Sequence, residues 1–74
     1  MSRRRLFVLV DENGAPVEAA GPAPFDGRTR AEAAREARST AGRLAPGWRL
    51  VPLTSRLERA LHRMAGRMGL ECGP

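Results

Sequence analysis

Apolar positions follow two different rhythms along this chain. Leu6, Phe7, Val8, Leu9 and Val10 form an unbroken run. Its length and its β-branched and aromatic content predict a strand buried on both faces. Further along, Leu57, Ala60, Leu61, Met64, Ala65 and Met68 recur at helical spacing. They predict an amphipathic helix with one greasy stripe, and Gly69 is its natural stop.

The segments between these two are read from weaker signals. Asn13-Gly14 supplies the positive φ angles of a tight hairpin turn. The alternation over residues 16–20 then predicts a returning strand, placed at a sheet edge because Pro16 has no amide donor. Residues 21–27 are a Gly- and Pro-rich loop in which Phe25 packs inward. Thr29 to Glu32 fits a capping box, opening an Ala-, Arg- and Glu-rich helix over residues 30–43. Ala34, Ala37, Ala41 and Leu44 make its apolar stripe, and alanines let a helix sit close to a sheet. After the break at Pro46-Gly47, residues 48–53 predict a third strand ending near Pro52. A second capping box, with Ser55 as N-cap and Glu58 reaching back, opens the last helix.

The implied order is β-β-α-β-α, an α+β fold. A right-handed crossover from the second strand to the third gives sheet order 2-1-3, with the all-apolar first strand in the middle. Both helices are expected on one face, making a two-layer sandwich. Residues 1–74 read as a single domain, with residues 68–74 as a tail.

Composition narrows the picture. The chain has 74 residues, and 42% of them are hydrophobic, but twelve are alanine, so the expected core is thin. The 13 basic residues are all arginine, against 8 acidic ones, for a net charge of +5. Such a field attracts polyanions or acidic protein surfaces, and the guanidinium fork suits phosphate and carboxylate. The charge order Arg3, Arg4, Arg5 followed by apolar residues resembles a signal peptide, but the run stops after five residues at Asp11. A cytoplasmic protein with no membrane span is expected.

Chemistry is sparse. One histidine and one cysteine cannot make a structural zinc site, and there is no lysine or tyrosine. His62 is expected to be solvated, and Cys72 to be an incidental thiol. Asp11 and Glu12 read as turn residues. Glu32 and Glu36 are one helical turn apart, within reach of Arg28 and Arg35. No Gly-rich phosphate loop is present. The expectation is a non-enzyme without cofactor or metal.

The arginines carry the functional signal. Arg56, Arg59, Arg63 and Arg67 recur at spacings of three and four along the last helix, roughly opposite its apolar stripe. Arg3, Arg4 and Arg5 add a second cluster. These seven residues form the expected partner-binding set. The partner is an acidic protein surface or nucleoprotein complex, with non-specific DNA or RNA binding through phosphates as the alternative. Phe7, Phe25 and Trp48 all look structural, which leaves no aromatic platform for bases. A homodimer through Met64, Met68 and Leu70 is a further possibility.

Two resemblances follow. Gly21-Pro22, Pro24-Phe25-Asp26, Glu32-Ala33-Ala34 and residues 48–53 together resemble a loop-helix-strand pattern of small phage and bacterial proteins. That layout is similar to half of a peptidoglycan-binding SPOR repeat, from which this chain departs by inserting Ala23 in the loop. In size, charge and class, the whole chain resembles phage accessory proteins of the anti-CRISPR inhibitor type. That resemblance implies a non-catalytic host-cell protein that occludes a surface of its target.

Overall fold

The computed structural model describes residues 5–69. Strand β1 (Arg5–Val10) is the centre of a three-stranded antiparallel sheet of order β2-β1-β3. Strand β2 is Phe25–Gly27 and β3 is Arg49–Pro52. Helix α1 (Arg30–Ala41) joins β2 to β3, and α2 (Ser55–Arg67) follows β3. The α+β class and the 2-1-3 order are those read from the sequence.

Two features differ from the sequence reading. The first is the identity of the second strand. Asn13-Gly14 does lie in a turn, but an Asp-led one. Asp11 Oδ1 accepts from the amides of Asn13 (2.8 Å) and Ala15 (3.0 Å), and Gly14 adopts φ 84°. The chain then touches β1 only briefly, through a Val10–Pro16 bridge and a bond from the Val17 amide to the Leu9 carbonyl. It coils into a 3-10 turn at Glu18–Ala20 instead of continuing as a strand. Pro16 offers no ladder donor, and Glu-Ala-Ala has little strand preference. The slot beside Phe7 goes to Phe25, its directly opposed partner in the register. An aromatic pair holds that position better than alanine would.

The second difference is the layering. Residues of β1 alternate between the two faces. Phe7 and Leu9 join Leu50, Val17 and Ala20 in a cluster with Ala33 and Ala37 of α1. Val8 and Val10 join Leu61 and Met64 of α2, with Val51, Leu53 and Leu57 against them. The helices therefore cover opposite faces, and the fold has three layers rather than two. An apolar run with no polar alternation needs cover on both sides, which two helices on one face cannot supply. The alanine stripe of α1 is Ala33 and Ala37 with Ala34 and Ala41 at its margin, whereas Leu44 lies beyond the helix and is exposed. Helix α1 ends at Gly42, which takes the left-handed conformation (φ 85°).

The helix starts are built by threonines. Thr29 Oγ1 accepts from the Glu32 amide, and Glu32 Oε1 accepts from the Arg28 amide at 2.7 Å. For α2 the cap is Thr54, whose Oγ1 accepts from the Leu57 amide; Ser55, the residue marked by the sequence pattern, is the first helical residue. Ser55 begins the helix, so it is one position too late to satisfy the Leu57 donor.

Candidate functional site

Helix α2 combines the two properties on which a contact surface depends. Its Leu61 and Met64 are buried, so the helix is anchored. Its arginines are exposed, as are Glu58, His62 and Gly66. At 3.6 residues per turn, Arg56, Arg59, Arg63 and Arg67 centre roughly 120° from the Leu57–Leu61–Met64 stripe. They therefore occupy a flank, and the sector directly opposite the core holds Ser55, Gly66 and Arg59.

The electrostatic state of this flank is simple. Among the described residues, no hydrogen bond or ion pair engages Arg56, Arg59 or Arg63. Arg67 lies 3.9 Å from Glu18, with both side chains largely exposed (63% and 66%). An exposed pair at that distance is weak and leaves the guanidinium available. Glu58 is the one acidic side chain within α2. The three guanidinium groups thus retain their full donor forks for an outside acceptor.

The N-terminal cluster is not brought wholly into this surface. Arg3 and Arg4 lie outside the described residues. Arg5 is exposed at the start of β1, and strand alternation puts it on the Phe7 side of the sheet, the side covered by α1. Residues 70–74, including Cys72 and the end of the expected tail, also lie outside the described range. Met64 is 1% exposed and belongs to the core, so the homodimer surface drawn from Met64, Met68 and Leu70 loses its first member. Met68 remains exposed at 39%.

A feature that the sequence pattern missed sits beside the arginines. An open groove of about 640 Å³ runs between α2 and the segment leading into β2. Leu6, Leu53 and Leu61 line it from the sheet side and the helix, and Pro22 and Pro24 form the far wall. Glu58, His62 and Ala65 are on the helix wall, and Arg59 and Arg63 also reach the groove. Leu6 is 42% exposed there, because α2 covers Val8 and Val10 but stops short of their neighbour. The only sequence signal for this groove was the pair of prolines in the loop, which look like simple chain breakers.

A second, smaller hollow is lined by Asp26, Gly27, Arg28, Glu32, Arg35 and Glu36. Its charges are mixed, and Glu32 is already committed to the start of α1. Among the described residues, no three His, Cys, Asp or Glu side chains converge as metal ligands. Nor is any helix there long and apolar enough to cross a membrane.

Fold and site together define a class: a small three-layer α+β domain that presents a cationic helix flank beside an apolar groove. Compared with known proteins, the chain matches no family model, no curated protein and no solved structure.

Proposed function

We propose that this chain is a non-catalytic binding protein whose α2 arginines dock on an acidic surface of a partner protein. The observation that carries the reading is the unengaged state of Arg56, Arg59 and Arg63 on a helix whose other side is locked into the core. A charge that neutralises no internal carboxylate gives the fold little, and three on one flank form a local positive field. Arg67 extends the flank, and Arg3, Arg4 and Arg5 add to the long-range field that steers an acidic partner in. In its narrower form the reading is an inhibitor that covers a host protein or nucleoprotein surface; size and class alone support that form.

Contact with nucleic-acid phosphates is the competing reading, through the same arginines. The aromatic residues weigh against it. Phe7 is buried, and Phe25 and Trp48 pack against the same α1-side cluster, leaving no stacking platform on the α2 side. A mobility shift with duplex DNA at rising salt separates the two. Phosphate binding would give a log–log slope of about −0.9 per contacted phosphate. The protein-partner reading expects no shift at micromolar protein, together with binding to an acidic polyglutamate peptide that the double variant Arg59→Glu, Arg63→Glu loses. Equal binding by that variant would remove the arginines from the surface.

A further inference from the structure

We propose that the groove beside α2 takes an acidic, amphipathic peptide segment of the partner, with an apolar side chain seated on Leu6 and Leu53 and carboxylates on Arg59 and Arg63. This rests on the binding function proposed above and names the partner chemistry at that site.

The groove's apolar lining of Leu6, Leu53, Pro22 and Pro24 suits a side chain. Its volume of about 640 Å³ lies within the range of sites that bury a small ligand. Leu6 is left 42% exposed although Phe7, Val8, Leu9 and Val10, which follow it on β1, are all buried. The opposite wall contains Pro22 and Pro24, which have no amide donors and present rigid apolar rings. An incoming leucine- or phenylalanine-sized group would remove Leu6 from water and fill space that no described residue occupies.

Charge complementarity chooses the occupant. Arg59 and Arg63 reach the groove with no internal partner among the described residues, and Glu58 is the one acidic group on its lining. Carboxylates pair with guanidinium forks through two parallel bonds, and more strongly at the edge of an apolar, partly dehydrated groove. A second copy of this chain is a poor occupant, because each copy carries +5. Nucleic acid is also poor: no Phe or Trp lines the groove for stacking, and its phosphates, although able to pair with Arg59 and Arg63, bring no apolar side chain to cover Leu6 and the prolines.

The experiment is selection of a phage-displayed random dodecapeptide library on the full chain, followed by anisotropy titration of the enriched peptides. Enrichment of Asp or Glu around one Leu, Ile or Phe is expected. Those peptides should bind Leu6→Gln at least about tenfold more weakly than the parent. Leu6 is surface-exposed, so this variant keeps its fold, verified by circular dichroism. Enrichment of basic or purely polar peptides, no enrichment, or undiminished binding to Leu6→Gln overturns the proposal. A polyglutamate peptide, which has no apolar anchor, separates the two levels. If it binds the parent and Leu6→Gln equally while acidic amphipathic peptides gain nothing, the groove proposal fails and the arginine surface stands. If it also binds Arg59→Glu, Arg63→Glu as tightly as the parent, the underlying reading fails with it.

Discussion

Truncating Met64 to alanine tests the three-layer arrangement most severely. Met64 is 1% exposed, among the largest fully buried side chains, and packs with Val8, Val10 and Leu61 on the α2 side of the sheet. Removing such a side chain from a packed core costs about 2–5 kcal/mol, part transfer and part cavity. A chain of 74 residues has in total roughly 4–11 kcal/mol, at the usual 0.05–0.15 kcal/mol per residue. Met64→Ala should therefore remove a large fraction of all stability and lower the urea midpoint accordingly. The one tryptophan adds a second readout, because Trp48 packs on the α1 side of the sheet. In native buffer, the Trp48 emission of Met64→Ala should match the parent, since the cavity opens on the other face. A loss below about 1 kcal/mol would mean that Met64 is not in a packed core. With the variant shown to be fully folded by circular dichroism, a shifted native Trp48 spectrum would mean that both helices share one face, and the layering would be wrong.

Three smaller perturbations test local claims. Thr54→Ala should cost about 1 kcal/mol in urea unfolding, whereas Ser55→Ala should stay within about 0.5 kcal/mol, because Thr54 holds the Leu57 amide. The reverse order would move the cap to Ser55. Gly27→Ala should destabilise by about 1–3 kcal/mol, since its Cβ would lie 3.0 Å from the Ala33 amide nitrogen and 3.1 Å from the Thr29 carbonyl oxygen. A neutral Gly27→Ala would mean that α1 does not start so close to β2. Glu18→Gln should change stability by less than about 0.5 kcal/mol, because its pair with Arg67 is exposed and long. A larger loss would mean that Arg67 is held by the fold.

Much of this architecture is legible in the residues, and the misreadings have local causes. The β1 run and the α2 stripe each repeat one signal over many positions, so local noise does not hide them. The second strand failed because two short segments competed for one edge. Asn13-Gly14 favours residues 16–20, but the choice turns on a long-range pairing of Phe25 with Phe7 that no local pattern contains. The layering was implied by the β1 run itself, whose apolar residues face both ways. The α2 arginines form a stripe, as helical spacing dictates, but it runs along a flank about 120° from the apolar residues and not opposite them. The adjoining groove was not legible, because it depends on where Pro22 and Pro24 stand relative to Leu6 in space.

The measurement that bears most directly on the account is an amide NMR titration of the full chain with an acidic amphipathic peptide. Shifts should concentrate on α2 around Arg59 and Arg63 and on Leu6 and Leu53 across the groove, and charge reversal at both arginines should abolish them. Shifts gathered instead on the α1 side of the sheet, or unchanged by the reversal, would contradict it.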